Sequence, residues 1–263
     1  PYYRDISLSL MMGMTLEELM MGFFARAADP STGGRLMLGH YGKAHLRYVT
    51  GSSCVASQIL HAVGIAMAIK MRGEGVACVA CFGEGATSEG DFHEAMSFAG
   101  IHDLPVVFFC QNNGYSITVP TDEELPIGVA ERARGYGFPG ERVDGNDLLA
   151  VYAASNRAME RARAGKGPSL IEAVVYRLTP HSSDDDDRRF RTAEEVEKAR
   201  GTEPVATTRR YLMQAGLLTE AQDDAMSEEI ATMLEAAQSA AEAAPDPDPA
   251  SLTTHVFSSD PRD

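Results

Sequence analysis

The sequence predicts an α/β fold, with a mostly parallel, doubly wound sheet that carries helices on both faces. Short apolar runs typical of strands alternate with longer helical segments, which favours parallel strands joined by helical crossovers. The run over residues 105–111 is apolar almost throughout, as expected for a strand buried on both faces. A chain of 263 residues is long enough for one large domain with a helical extension.

Each element is predicted from its local pattern. Thr15 and Glu18 form a capping box ahead of an apolar stretch, which indicates the start of a helix. Either Ser52 or Ser53 could cap a second helix, because apolar residues at helical spacing follow them. In chain order, the predicted elements are a helix over 15–27, a loop over 33–48, a helix ending at Gly75, strands over 76–82 and 105–111 around a helix over 91–100, helices over 130–136 and 148–164, and a strand over 169–177.

The composition changes after Arg177, and three segments are predicted. Residues 1–178 form the α/β domain, residues 179–191 an exposed, mobile loop, and residues 192–263 a helical C-terminal segment with a tail. The last segment is rich in Ala and Glu, with predicted helix starts at Thr192 and Thr219 and a linker-like stretch near its end.

The composition excludes some classes of function. The 23 basic residues against 38 acidic ones give a formal net charge of −15, so nucleic acids and anionic membranes should repel the chain. The uncharged segment over residues 49–69 contains Ser, Gln and His, which favours a core helix over a membrane span. Four cysteines are too few for a disulfide framework and favour a reducing compartment. We therefore expect a soluble protein that binds neither nucleic acid nor membranes.

A glycine-rich turn over residues 83–91 should lie where a strand passes into a helix, a common phosphate-binding position. It does not match the dinucleotide fingerprint, because Ser88 replaces a glycine, nor a P-loop, because Asp91 replaces the lysine. It offers instead the carboxylate of Glu84, held between two glycines. A cation must bridge a carboxylate and a phosphate, and Mg²⁺ prefers hard oxygen ligands of both kinds.

A second turn with oxygen ligands follows the next predicted strand. Asn112, Asn113 and Gly114 occur there, with Asn112 placed 27 positions after Gly85. Adjacent parallel strands bring their carboxyl ends together, so these amide oxygens should lie near Glu84. The alternative is a pair of ordinary turns, in which Asn-Gly serves only turn geometry. The paired spacing favours a Mg²⁺ site.

This pair of turns resembles the thiamine-diphosphate motif, which usually has Asp where this chain has Glu84. The chain is also similar, along nearly its whole length, to the alpha subunits of branched-chain 2-oxo acid dehydrogenases. The resemblance implies the thiamine-diphosphate-binding fold and a further N-terminal segment ahead of Pro1. The segments that carry it are residues 1–5, 34–37, 40–42, 82–85, 109–115, 143–147 and 181–183.

The resemblance also implies a set of ligands. Mg²⁺ would be held by the side chains of Glu84 and Asn113 and by the backbone carbonyl of Tyr115. The implied thiamine-diphosphate ligands are Tyr3, Arg4, Ser53, Val55, Gly83, Glu84, Gly85, Ala86, Asn113, Tyr115, Ile117 and His181; the substrate residues are His40, Tyr41 and Ser53; and the candidate potassium ligands are Ser52, Ser57 and Gln58.

His181 is the residue to which the resemblance assigns acid–base catalysis. A group that titrates near neutral pH suits the transfer of an acyl group from the cofactor to a lipoyl thiol. From its sequence context alone, His181 is a solvated loop histidine close to four Asp residues. The neighbouring Ser182 matches a position that is phosphorylated in animal members.

The implied function is oxidative decarboxylation of branched-chain 2-oxo acids such as 2-oxoisovalerate, followed by acyl transfer to the lipoyl group of an acyltransferase core. A beta subunit, in an α2β2 heterotetramer, would supply the glutamate that activates the cofactor. The same chemistry on pyruvate or acetoin is one alternative, and a non-catalytic nucleotide-binding α/β scaffold is another. A bacterial chain of this kind is expected in the cytoplasm and a eukaryotic one in the mitochondrial matrix.

Overall fold

The computed structural model describes residues 1–254, which form two compact units. The first unit combines residues 1–53 with the chain from Glu220 onward, and the second comprises residues 54–219. The predicted division into 1–178, 179–191 and 192–263 follows chain order instead and stays a prediction. Its last nine residues lie outside the described residues.

The second unit is built on a four-stranded parallel sheet in the order β1-β2-β6-β5. A short antiparallel hairpin, β3-β4, follows the second strand. The strands are β1 (Cys78–Gly83), β2 (Val106–Asn112), β3 (Tyr115–Ser116), β4 (Val119–Pro120), β5 (Gly140–Asp144) and β6 (Ser169–Val174).

Helices account for most of the remaining regular structure. They are α1 (Ile6–Met11), α2 (Leu16–Phe23), α3 (Ser57–Arg72), α4 (Gly90–Ile101), α5 (Thr121–Glu124), α6 (Val129–Arg132), α7 (Leu148–Arg163), α8 (Ala193–Arg200), α9 (Pro204–Gln214) and α10 (Glu220–Ala243). Shorter 3₁₀ segments include Glu84–Ser88, directly after β1, and Ala133–Tyr136, which continues α6.

Helices cover both faces of the sheet, which confirms the predicted α/β fold. Along β2, Val106 and Phe108 pack into a large core with α3 and α4. Val107 points the other way, into a smaller core with Ile171 and the alanines of α7. Successive strand residues alternate between faces, so a strand buried on both sides needs the continuous apolar run that β2 has.

The sequence prediction missed two strand pairings. Strand β5 is the polar edge strand, and its residues alternate between exposed and half-buried positions, so it lacks an apolar run. The β3-β4 hairpin has only two residues in each strand. The helix predicted over 130–136 is one α-helical turn followed by a 3₁₀ turn.

Helix α2 confirms the predicted capping box. The Thr15 hydroxyl accepts from the Glu18 backbone N–H at 3.1 Å, and Glu18 accepts from the Thr15 N–H at 2.9 Å. The helix ends at Phe23 rather than at residue 27, since Ala25 has a left-handed φ of 51°. Helix α8 likewise begins after Thr192, as predicted.

Helix α3 begins later than predicted. Its N-cap is Ala56, with a left-handed φ of 71°, so neither Ser52 nor Ser53 caps it. It also ends earlier, because Gly73 adopts a left-handed φ of 66° after Arg72, a common way to end a helix.

In the first unit, α10 packs against α2, and the tail that follows is held in place. The guanidinium of Arg26 donates to the Ala241 carbonyl at 2.8 Å, and the Ala27 N–H donates to the Pro245 carbonyl at 3.1 Å. The expected linker-like stretch over 244–249 is therefore fixed against the N-terminal segment. Among residues 1–254, no helix has the length and apolar character needed to cross a bilayer.

Candidate functional site

Two turns meet at the carboxyl edge of the parallel sheet. Strands β1 and β2 pair in register, with Gly83 opposite Gln111. The residues that follow each strand are therefore neighbours, as the sequence predicts. The Asn113 N–H donates to Oε2 of Glu84 at 3.1 Å, which joins the two turns directly.

Glu84 is a buried carboxylate, with 1% of its surface exposed. It begins the 3₁₀ segment after β1, and Oγ1 of Thr87 donates to its backbone carbonyl at 2.7 Å. Burial raises the pKa of the Glu84 carboxyl, although backbone hydrogen bonds to it favour the charged form. A cation at this position would stabilise the carboxylate further.

Asn113 presents an oxygen that lacks a partner. Its Oδ1 is buried and accepts no hydrogen bond from any of residues 1–254. Buried polar atoms in folded proteins are nearly always satisfied, so such an atom calls for a bound group. Amide and carboxylate oxygens are the types of ligand that Mg²⁺ prefers.

Tyr115 and Ile117 are held by one buried arginine. Arg177 donates to the Tyr115 carbonyl at 3.2 Å and to the Ile117 carbonyl at 2.5 Å. A carbonyl oxygen has two lone pairs, so that of Tyr115 can still bind a cation. Ile117 has a φ of 58°, a costly conformation for a β-branched residue and one that is typical of functional sites.

The small residues of the first turn are explained by close packing. A Cβ on Gly85 would lie 2.1 Å from Oγ of Ser116, so a larger residue at position 85 would require the Ser116 side chain to move. The Ala86 side chain is buried in the large core. Among residues 1–254, no group of three or more His, Cys, Asp and Glu could hold a metal. A cation here would therefore depend on a mixed set of oxygen ligands.

Three further predicted residues lie near the start of α3. Val55 is about half exposed, with an exposed fraction of 52%. Ser57 donates to Asp91 at 3.4 Å, and the Gln58 amide donates to the Cys81 carbonyl at 3.2 Å. Oε1 of Gln58 is buried without a hydrogen-bond partner among residues 1–254.

The predicted substrate residues belong to the first unit. Nδ1–H of His40 donates to the Met37 carbonyl at 2.7 Å, and Nε2 of His40 contacts Oγ of Ser53. The structure thus brings His40 and Ser53 together, and their role in substrate binding stays a prediction. Tyr41 is buried, and burial raises its pKa to about 12. Tyr3, Arg4 and Ser52 belong to the same unit, with the guanidinium of Arg4 5.1 Å from the centre of the Tyr3 ring.

His181 lies in the loop between β6 and α8. Its N–H donates to Oδ2 of Asp185 at 3.0 Å, and the side chain is partly exposed. The catalytic role of His181 stays a prediction.

The ends of this loop are joined by a cluster that the sequence analysis missed. Arg191, whose side chain is 1% exposed, pairs with Asp187 at 2.5 Å and donates to the backbone carbonyl of Arg177. Its guanidinium also lies 5.5 Å from the centre of the Tyr176 ring. The available signal was an aromatic residue directly before each arginine, at positions 176–177 and 190–191.

Comparison with known proteins identifies the family. The model of the dehydrogenase E1 component matches residues 1–250. The chain belongs to the dehydrogenase E1 component family.

Named members of this family are similar to the chain. It is 50% identical over 258 residues to 2-oxoisovalerate dehydrogenase subunit alpha of Bacillus subtilis, which covers 98% of the chain and 78% of the relative. It is 49% identical over 164 residues to 3-methyl-2-oxobutanoate dehydrogenase subunit alpha of Mycobacterium tuberculosis, covering 62% of the chain and 45% of the relative. It is 38% identical over 257 residues to the mouse mitochondrial 2-oxoisovalerate dehydrogenase subunit alpha, covering 97% of the chain and 58% of the relative.

The matched segments cover about half the length of the mycobacterial and mouse relatives. A solved structure, of a putative thiamin diphosphate-dependent enzyme from Mycobacterium smegmatis, is 25% identical and covers 49% of this chain and 24% of that one. Its TM-score of 0.37 is too low to establish a shared topology.

Proposed function

We propose that this chain is the alpha subunit of a branched-chain 2-oxo acid dehydrogenase. The observation that carries the proposal is the buried, unpartnered Oδ1 of Asn113, a residue whose backbone N–H donates to the buried Glu84 carboxylate. The name of the Bacillus subtilis relative supports a branched-chain 2-oxo acid as the substrate. The reaction is oxidative decarboxylation of that acid, followed by acyl transfer to a lipoyl group on an acyltransferase core.

Mg²⁺ is the cation proposed for the two turns. Glu84 would supply a carboxylate oxygen, Asn113 an amide oxygen and Tyr115 a backbone carbonyl, a set of hard oxygen donors that suits Mg²⁺. The backbones of Gly83, Gly85 and Ala86 would line the diphosphate. Thiamine diphosphate, when bound, supplies the electron sink for decarboxylation.

His181 is proposed to move a proton during acyl transfer to the lipoyl group. The loop position of His181 gives access to a large lipoyl-bearing partner, and an imidazole titrates in the range this transfer needs. The fixed ends of the loop, at Arg177 and Arg191, would limit the volume that His181 can explore.

A beta subunit is the proposed partner, in an α2β2 heterotetramer. Cofactor activation in this type of enzyme requires a glutamate beside the aminopyrimidine ring, and the resemblance places that glutamate on the beta chain. In this chain the buried Glu84 is assigned to the metal, and the Asp run of the loop is too polar a setting for a buried acid.

Two finer proposals complete the function. Potassium held by Ser57 and Gln58 is supported by the buried, unpartnered Oε1 of Gln58. The compartment follows the source of the chain, cytoplasm for a bacterium and mitochondrial matrix for a eukaryote, as the mitochondrial names of the plant and mouse relatives suggest.

Two assays test the proposal. Calorimetric titration of thiamine diphosphate into the chain, copurified with its beta subunit, should show binding with Mg²⁺ and almost none with EDTA. The complex should then oxidise 3-methyl-2-oxobutanoate faster than pyruvate, with an artificial electron acceptor. Equal binding with and without Mg²⁺ would contradict the metal assignment, and a preference for pyruvate would contradict the substrate.

A further inference from the structure

A second, buried hydrogen-bond network lies directly behind the Asn113 turn. Asn112, the last residue of β2, is 5% exposed, and its Nδ2 donates to Oε1 of Glu172 at 2.8 Å. Its Oδ1 accepts from the Gly114 N–H at 3.1 Å and from Oγ1 of Thr121 at 3.2 Å. Both polar atoms of the Asn112 side chain are therefore hydrogen-bonded, and one of the bonds joins Asn112 to Gly114, the residue that follows Asn113.

Glu172 provides the fixed end of this network. It is 1% exposed, and its second oxygen accepts from the Ala130 N–H at 2.9 Å, at the start of α6. Among residues 1–254 it forms no ion pair. Burying a carboxylate costs free energy that a merely structural link between β2 and α6 would not require.

We propose that Glu172 and Asn112 are positioning residues, which hold the turn so that Oδ1 of Asn113 points at the cation. This inference rests on the Mg²⁺ site of the proposed function. Neither side chain binds the cation itself, since Asn112 and Glu172 are occupied by the contacts above. They fix the residues before and after Asn113, because Asn112 is hydrogen-bonded to Gly114.

The network explains why a carboxylate occupies position 172. Two N–H donors converge on it, from Asn112 and from Ala130, so both side-chain oxygens must accept. Glutamine has nearly the same shape, but its amide group would face one of those donors with a second donor. Glu172→Gln should therefore break one hydrogen bond and leave a buried donor unsatisfied.

An exchange of the two side-chain types should restore the network. In Asn112→Asp combined with Glu172→Gln, the new amide would donate to the new carboxylate, and its oxygen would still accept from Ala130. The carboxylate at 112 would keep accepting from Gly114 and Thr121. Each single substitution leaves a mismatched pair, whereas the exchange reverses one hydrogen bond and conserves the total charge.

The experiment measures Mg²⁺ affinity at a fixed thiamine diphosphate concentration, by calorimetry on the chain copurified with its beta subunit. Glu172→Gln and Asn112→Asp should each weaken Mg²⁺ binding by about 10–100-fold, the usual cost of losing support behind a metal ligand. The exchange variant should recover most of that loss. Thr121→Val, which removes one donor without adding charge, should weaken binding in the same direction by less.

The control is Leu104→Ala, which removes a fully buried side chain just before β2, at the opposite end of that strand. It should lower the midpoint of thermal unfolding without changing Mg²⁺ affinity. If Glu172→Gln, Asn112→Asp and Thr121→Val lose stability but keep the Mg²⁺ affinity of the unaltered protein, the inference is overturned. Failure of the exchange to recover affinity would also overturn it. If the unaltered protein shows no Mg²⁺-dependent binding, the proposed function falls, and this inference with it.

Discussion

The two turns at the sheet edge and the loop that carries His181 are built in opposite ways. The turns lie in the interior, where Glu84 is 1% exposed and a hydrogen bond already joins it to the Asn113 backbone. The loop is mostly exposed and is held at its ends, where Arg191 donates to the Arg177 carbonyl. The proposed ligands of the first region are held in place in the folded chain, whereas the loop is held only at its ends.

This difference suggests a division of labour. A metal and a diphosphate need ligands with little freedom, which the carboxyl ends of paired strands supply. A histidine that serves a large incoming substrate needs access, which a loop provides. Arg177 connects the two regions, because its backbone N–H donates to the Asn113 carbonyl at 3.1 Å and its guanidinium holds the Tyr115 carbonyl.

The largest effect is expected from substitutions in the two buried turns at the sheet edge. Glu84→Ala or Asn113→Ala should weaken Mg²⁺-dependent binding of thiamine diphosphate by more than about 100-fold, since a lost ligand should cost more than a lost supporting contact. Equilibrium binding measures this. Glu123→Ala, at an exposed acid of α5, is the control and should bind normally. Near-normal affinity of both site variants would refute the metal assignment.

The next largest effect is expected from a substitution of His181 in the exposed loop. His181→Ala should slow the lipoyl-coupled reaction by about 10²–10⁴-fold, the usual cost of losing an acid–base group, while cofactor affinity stays within about twofold. Steady-state kinetics and calorimetry on the same preparation separate the two quantities. The matched control is His61→Ala, at an exposed histidine of α3, and it should leave the rate of the lipoyl-coupled reaction unchanged. A parallel loss of cofactor affinity in His181→Ala would mean that the two regions are not separate.

A moderate effect is expected when the contacts of Arg191, which join the two ends of the loop, are weakened. Arg191→Lys keeps the charge but loses the planar fork that contacts Asp187 at 2.5 and 3.0 Å. Cleavage within residues 184–187 by an Asp-specific protease should become about tenfold faster, because cleavage follows the fraction of open loop. Arg188→Lys, at an exposed neighbouring position, should cleave like the unaltered chain. An unchanged cleavage rate of the Arg191 variant would show that the Arg191 contacts do not restrain the loop.

The smallest effect tests the rigidity of the strands that carry the turns. Cys78 and Cys110 lie on β1 and β2, and burial raises the pKa of Cys78 to about 11 and that of Cys110 well above its usual value. At pH 8, only roughly one part in a thousand of the Cys78 thiol is ionised, so alkylation should be slow. Mass spectrometry should find iodoacetamide mainly on the exposed Cys54. Rapid labelling of Cys110 would show that strand β2 becomes accessible to the reagent and would contradict a rigid sheet.

Most of the sheet could be predicted from the sequence, because β1, β2 and β6 show apolar runs. Strand β5 could not, since an edge strand with alternating exposed residues has no such run. The start of α3 was misplaced for another reason. Its N-cap, Ala56, adopts a left-handed conformation that neither its residue type nor the nearby serines indicate.

The candidate site divides in the same way. Spacing and strand order predicted that Glu84 and Asn113 would be neighbours, and they are hydrogen-bonded. The contacts of Glu172 could not be predicted, because its partners Asn112 and Ala130 lie 60 and 42 positions away in the sequence. Such contacts depend on tertiary packing rather than on a local pattern.

The most direct test of the central claim is a Mg²⁺ titration, followed by thiamine diphosphate binding, of the unaltered complex and of Glu84→Gln. Glutamine keeps the size of the side chain but removes its charge, so the buried site should remain folded while Mg²⁺ affinity falls by more than about 100-fold. The unaltered complex should bind the cofactor only when Mg²⁺ is present. Equal, Mg²⁺-independent binding by both proteins would contradict the account.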